Sequence, residues 1–256
     1  MVSRMKNKNF PLAATVAFFF ILNGCATQIY SEAKTLETRP HVTLHLLFEI
    51  PEPPAKNILV LFFGENGRAQ VPNILGRATP LFVTKGLPVV IVDAAFYSHS
   101  SRAKPEHVED IRKVIEYLGV RGFESIYLVG TSNGTISVAY IGSLLKDEKI
   151  KGLVLTGAQS YYITKHAPIE QTPYPVLFIH HKYDDCPDNS YDEAVKLSQK
   201  YVNSPKVDFV TVNGGKNEQP YPCFDMSYHD FWERDQEVAQ IITDWVFGKD
   251  FPREIN

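Results

Sequence analysis

An excess of charge of either sign is missing from this sequence. Its 26 Lys and Arg stand against 29 Asp and Glu for a formal net charge of -3, and they form no basic cluster of the kind that a nucleic-acid surface needs, so no nucleic-acid partner is expected. No stretch repeats with a fixed period and none is of low complexity, which excludes solenoids, propellers and long disordered tracts. Cysteine is scarce too: Cys25, Cys186 and Cys223 are the only three, too few for a disulfide-built miniature scaffold. Long apolar runs are absent, because even Phe10 to Leu22 falls short of the roughly 20 residues that a membrane-spanning helix requires. What the 256 residues do contain is 44% hydrophobic and 21% charged side chains, the balance of a globular domain with a sizeable core.

The amino-terminal segment stands apart from that domain. Arg4, Lys6 and Lys8 come with no acidic residue, and the apolar run follows directly, which is the profile of a signal peptide over residues 1–24. Leu22-Asn23-Gly24-Cys25 resembles the bacterial lipobox, departing from it at Asn23, where a small residue is usual. The resemblance implies cleavage before Cys25, a lipid on its sulfur, and attachment to a membrane through that lipid; an uncleaved anchor is the alternative. Ala26 in the next position implies sorting to the outer membrane of the cell envelope, facing the periplasm. A multiply acylated cysteine holds firmly, since each buried methylene contributes about 0.8 kcal/mol. With Cys25 so used, Cys186 and Cys223 remain as an even pair in an oxidising compartment and are expected to form a disulfide, with two buried free thiols as the other possibility.

Residues 25–41 are polar and read as a tether, and residues 42–256 as the folded domain. Val42 to Ile50 reads as a strand closed by "PEPP". Asn57 to Phe63 is apolar almost throughout, as expected of a strand covered on both faces, and "GENG" ends it. A helix is expected over about residues 72–85, then a buried strand in "LPVVIVDAA". Pro105, Glu106 and the helical spacing of Val108, Ile111, Val114, Ile115 and Leu118 predict a helix ending near Val120. Strands are expected at "SIYLV", "KGLVLTG", "PVLFIHH" and "KVDFVTV", with helices after Gly134, near residues 192–201, and over about residues 231–247. Strands alternating with helices imply right-handed crossovers and a mostly parallel sheet covered on both faces. Ligands of such sheets bind beyond the carboxyl ends of the strands.

Each chemical motif falls at such an end. Gly130-Thr131-Ser132-Asn133-Gly134 matches G-x-S-x-G, a weak pattern alone, but here it has the buried strand before it and the helix after it that a nucleophile elbow needs. The plainer reading is a serine at a helix N-terminus. A serine hydroxyl becomes a nucleophile only when a histidine takes its proton and an acid orients that histidine. Of the eight histidines, four follow Ser132, and only His229 also follows a plausible acid. That acid is Asp184 or the adjacent Asp185 at the end of "VLFIHHKYDD", with Asp184 preferred. A metal site built on His180, His181 and the aspartates competes poorly, since consecutive strand residues point to opposite faces. The oxyanion of a tetrahedral intermediate needs two donors. The backbone N–H of Asn133 is one, and the N–H of Glu65, in the glycine-flanked loop after "LVLFF", is the favoured second; a plain turn is the alternative for that loop.

These residues together resemble the α/β-hydrolase superfamily, and in particular its secreted members with a "GTSxGT" elbow, a histidine pair near an aspartate and cysteine, and a later cysteine before the histidine. The features here are "GTSNGT", "HHKYDDC", Cys223 and His229, and the resemblance covers about residues 42–248. His181 and Asp230 stand where the general family has, or often has, glycine. The resemblance implies hydrolysis of an ester, thioester or peptide without a cofactor. The expected function is a lipid-anchored serine hydrolase acting on a small acyl substrate, most simply an esterase, because little chain separates the strands near 151 and 175 for a large lid. A non-catalytic binding or scaffold lipoprotein on the same fold is the alternative, and a peptidase a third, for which no gating domain is visible.

Overall fold

The computed structural model describes residues 28–70, 73–93, 99–187 and 189–256. The candidate signal peptide and Cys25 lie outside the described residues. Strands β1 (Gln28–Arg39) and β2 (Val42–Glu52) form an antiparallel hairpin. There follow β3 (Asn57–Phe62), α1 (Ile74–Thr84), β4 (Val89–Asp93), α2 (His99–Arg102) and α3 (Pro105–Val120). The second half runs β5 (Ser125–Thr131), α4 (Gly134–Leu144), β6 (Ile150–Thr156), α5 (Ser160–His166), β7 (Val176–His181), α6 (Tyr191–Ser198), β8 (Val207–Val212), α7 (Asp235–Val246) and β9 (Glu254–Ile255). All strands join one sheet in the order β1-β2-β4-β3-β5-β6-β7-β8-β9. Only β2 runs against the rest, and every pairing from β4 to β9 is parallel.

The continuous apolar strands are explained by cover on both sides. Ile58, Val60 and Phe62 of β3 enter a core with Val108, Ile111, Val114, Ile115 and Leu118 of α3 and Ile136 and Ile141 of α4. Leu59, Leu61 and Phe63 enter a second core with Ile74, Leu75 and Phe82 of α1 and Val238, Ile241 and Ile242 of α7. Successive residues thus serve opposite faces, and each fully buried side chain of this size stabilises the fold by about 1.5–3 kcal/mol.

Residues 28–39 are a correction: where a tether was expected they form a strand, so the folded domain includes them. Most β1 side chains are exposed, and an edge strand of polar residues carries no buried periodicity to betray it. Long-range contacts hold it instead. The Asp110 carboxylate of α3 accepts from Thr38 Oγ1 at 2.6 Å and from Arg39 Nε and Nη2 at 2.7 and 3.0 Å, and Arg121 reaches Glu32 at 2.7 Å. The last helix also starts later than expected, at Asp235, because Phe231 and Glu233 have φ of 55° and 65°, left-handed values that a helix does not accommodate. The short α5 and β9 were not expected from the sequence.

Candidate active site

The carboxyl ends of β3, β5, β7 and β8 lead into the segments that carry the candidate residues. Ser132 follows β5 in a turn so tight that its φ is 49°, a left-handed conformation that costs on the order of 1–3 kcal/mol in a non-glycine residue and that the surroundings must enforce. The flanking glycines allow it. A Cβ on Gly134 would lie 1.9 Å from the Phe62 carbonyl oxygen, and one on Gly130 would lie 2.6 Å from the Gly134 carbonyl carbon. Strand β3 and helix α4 therefore approach the elbow backbone to backbone. Ser132 is more than a helix-capping residue in this setting: its carbonyl accepts from Thr135 at 2.9 Å while its side chain lines a cleft.

That cleft is walled by Gly64, Glu65, Ser132, Phe224, His229 and Asp230, among others, and holds about 20 Å³ of free space, room for one water-sized group. His229 lies in the loop between β8 and α7, 2% exposed. Its Nδ1 donates to Asp184 Oδ2 at 2.8 Å, while Asp184 Oδ1 accepts the Cys186 N–H at 3.0 Å. Asp184 is thus the carboxylate that reaches the histidine, and Asp185 is exposed one residue further on. At the other ring nitrogen, the Asn189 amide Nδ2 lies 3.5 Å from His229 Nε2, which fits an unprotonated Nε2 able to receive a proton. Among the described residues no hydrogen bond joins His229 Nε2 to Ser132 Oγ, as is common before substrate arrives.

Electrostatics suit an ion-forming pair. Burial works against ionisation of Asp184, but the charge of His229 and hydrogen bonds from His180 and His229 outweigh it and hold the carboxyl well below its usual range. Burial likewise opposes protonation of His229, yet the charge and hydrogen bond of Asp184, with Asp230 and Asp185 adding theirs, raise its pKa above the ordinary histidine value. Burial also lifts Glu65, with Asp225 adding to the shift.

Of the two residues expected to supply oxyanion donors, Glu65 lines the cleft and Asn133 follows Ser132 directly. Asn133 precedes α4, where the first N–H groups of a helix have no internal acceptor, and Glu65 sits on the loop after β3 with φ of 41°. The Asn133 side-chain amide donates to the Glu65 carbonyl at 3.2 Å and so ties the elbow to that loop. Sequence reasoning missed what supports the loop from behind: Arg102, 1% exposed, donates from Nη2 to the carbonyls of Phe63, Gly64 and Glu65 at 3.0, 3.3 and 3.1 Å. Burial lowers its pKa to about 9, so it remains a cation at neutral pH. No local pattern in "SHSSRAKP" announces that role.

Two further contacts fix the histidine loop. Asp230 accepts the Ile74 N–H at the start of α1 at 2.8 Å and pairs with Arg77, which also donates to the Asp230 carbonyl at 2.8 Å and to Asp235 at 2.8 Å. Burial raises Asp230 to about 6 against the opposing pull of Arg77. His181 turns away from Asp184's side of the strand. Its Nε2 donates to the Gly214 carbonyl at 2.8 Å and its ring stacks on Tyr228 at 4.5 Å. Finally, Cys186 and Cys223 are joined in a disulfide, which links the loop of Asp184 to the wall of the cleft.

No protein-family model matches the sequence, and no curated protein matches it. Solved structures do. A dienelactone hydrolase from Anabaena variabilis superposes with a TM-score of 0.66 at 14% identity, covering 87% of this chain and 99% of that one. Est1E from Butyrivibrio proteoclasticus gives 0.61 at 15% identity, with 84% and 98% covered. An alpha-beta serine hydrolase homologue from Coxiella burnetii gives 0.62 at 17% identity, with 83% and 95% covered. Sequence likeness at this level speaks for architecture alone, and together with the strand order and crossovers it establishes that this chain has the α/β-hydrolase fold.

Proposed function

We propose that the protein is a serine hydrolase that cleaves small esters or thioesters through an acyl-enzyme, with Ser132 as nucleophile, His229 as general base and acid, and Asp184 orienting the imidazole. The observation that carries this reading is the 2.8 Å contact between His229 Nδ1 and Asp184 Oδ2, in a histidine that shares the cleft of the strained elbow serine. Ser132 Oγ attacks the acyl carbon as its proton passes to His229 Nε2, and Asp184 stabilises the imidazolium. The oxyanion is received by the N–H groups of Asn133 and Glu65. Collapse expels the alcohol or thiol, which takes the proton from Nε2, and a water molecule then repeats the sequence in reverse to free the acid. The small cleft favours a short acyl group, and the solved relatives named as hydrolases or esterases support the reaction class.

In the same reading Cys25 carries the lipid and Ala26 and Thr27 alone separate it from β1. Gln28 pairs with Glu52, just beyond the Glu49 that faces the first residue of β4. The anchored end is therefore the amino-end of the parallel strands, and the cleft, at their carboxyl ends, opens away from the membrane.

Turnover of p-nitrophenyl acetate by the purified protein tests the reaction. Ser132→Ala is expected to abolish it, Asp184→Asn to reduce it by roughly 10⁴ through the wrong imidazole tautomer, and Asp185→Asn to leave it nearly unchanged. Wild-type turnover by a folded Ser132→Ala protein would refute the assignment.

A further inference from the structure

His180, the last residue but one of β7, is fully buried and takes no part in the steps above. Its Nε2 lies 2.6 Å from the Asn189 carbonyl oxygen and 3.2 Å from Asp184 Oδ2. Both neighbours are acceptors only, so Nε2 must carry the hydrogen. Among the described residues Nδ1 has no partner, which leaves that nitrogen as a bare lone pair and selects one tautomer. The Oδ2 that lies 3.2 Å from His180 Nε2 is the same oxygen that accepts from His229 Nδ1 at 2.8 Å, while the shorter His180 contact is with the Asn189 carbonyl.

We propose that His180 is a positioning residue of the active site: its one Nε2 hydrogen, held by the Asn189 carbonyl at 2.6 Å, lies close enough to the shared oxygen of Asp184, at 3.2 Å, to draw on that oxygen's charge, and so holds the carboxylate in place and limits how strongly it can stabilise the His229 imidazolium. The proposal rests on the reading of Ser132, Asp184 and His229 as the catalytic set.

Its physical basis is competition for one oxygen. A carboxylate oxygen that accepts two N–H groups gives less of its charge to each than it would to one. Asp184 accepts hydrogen bonds from His229 Nδ1 on Oδ2 and from the Cys186 N–H on Oδ1, with His180 Nε2 3.2 Å from Oδ2. Without His180 the carboxylate would be freer to rotate and a stronger partner for His229, and the histidine would hold its proton to higher pH. The other groups that face this pair are few. Asp185 and Asp230 act on His229 through their charge, and Asp230 is itself compensated by Arg77 of α1. From α6, Tyr191 meets the His180 ring edge-on at 6.3 Å, and the His181 side chain is engaged with Gly214. None of these can replace the donor that His180 supplies. The backbone carbonyl of Asn189, bound by the same Nε2, keeps the ring in register, and the Asn189 side chain sits beside His229 Nε2, so one short loop serves both histidines.

Two measurements on the full-length protein test this. In ¹⁵N-histidine NMR spectra of the wild type, one buried histidine that disappears in His180→Phe should show a protonated Nε2 and an unprotonated Nδ1; the opposite tautomer would overturn the proposal. In pH profiles of kcat/KM for p-nitrophenyl acetate, His180→Phe, which keeps the ring volume and removes the donor, should move the acid limb up by about half to one pH unit, a loss of roughly 3- to 10-fold near that limb that is regained at high pH. His180→Gln, which keeps a terminal N–H, should restore most of the shift. A loss of equal size at every pH, or an unmoved limb in a folded His180→Phe protein, would assign His180 a packing role and refute the idea. Should Ser132→Ala retain turnover, the catalytic reading fails by itself, while the tautomer of His180 still stands or falls by the spectrum. If His180→Phe does not fold, His180→Gln and the wild-type spectrum decide the question.

Discussion

Removing the disulfide is expected to weaken the protein globally and the cleft locally, and the two effects can be separated. Cys186 and Cys223 are 37 residues apart in sequence. Closing a loop of that length in the unfolded chain removes about 13 cal/mol/K of entropy, which at 25 °C makes the bridge worth about 4 kcal/mol. For a domain of this size that corresponds to a fall in Tm of roughly 8–16 °C. The native contacts set the local effect. Cys186 is buried at 4% exposure, its N–H holds Asp184 Oδ1, and Cys223 lines the cleft next to Phe224 and Asp225. The double variant Cys186→Ala/Cys223→Ala should therefore lose stability by that amount in urea titrations followed by circular dichroism. It should also show a raised KM for p-nitrophenyl acetate, because one wall of the cleft loses its tie to the acid loop. Wild-type protein treated with a reductant should match the double variant in both respects. A change in unfolding free energy below about 1 kcal/mol, close to the uncertainty of the extrapolation itself, would show that the bridge does not constrain the unfolded chain as reasoned here.

Other outcomes follow from single contacts. Gly134→Ala places a methyl group 1.9 Å from the Phe62 carbonyl oxygen, and backbone cannot retreat as a flexible side chain can, so a loss of about 3 kcal/mol or more is expected in urea titrations; a variant within about 1 kcal/mol of wild type would contradict the close packing of β3 against the elbow. The raised pKa of His229 gives a definite pH dependence: the base acts as neutral imidazole, so kcat/KM should rise through an acid limb above 6.5, the ordinary histidine value, and a limb below 6.5 would refute the coupling to Asp184. For stability the sign is set by Asp184, whose folded pKa is depressed. Its contribution is present above the unfolded value of 3.8 and is lost as pH falls below it, so thermal melts of Asp184→Asn should depend less on pH than wild type in the acid range. At the amino terminus, labelled palmitate should enter wild type but not Cys25→Ala, and equal labelling of the two would remove the lipid anchor from the account.

The sequence by itself determined the parallel, doubly covered sheet, because strands such as β3 and β7 are apolar on both faces and only helices on both sides can cover them. It also determined the tight turn at Ser132, since the glycines, the serine and the flanking strand and helix lie within one short stretch. The chain order of Ser132, Asp184 and His229 was legible for the same reason: each lies at or beyond the end of a strand, and strand ends are marked by local periodicity. The choice between Asp184 and Asp185 was not, because neighbouring residues of identical type differ only in which way the backbone turns them. Strand β1 escaped for a related reason. Its polar residues gain their order from Asp110 and Arg121, far away in sequence, and an exposed edge buries nothing periodic. Tertiary structure alone brought Arg102 behind the Glu65 loop and Arg77 against Asp230. These are single polar contacts between distant segments, satisfied because a buried donor or acceptor without a partner is costly, and no pattern of neighbouring residues records them.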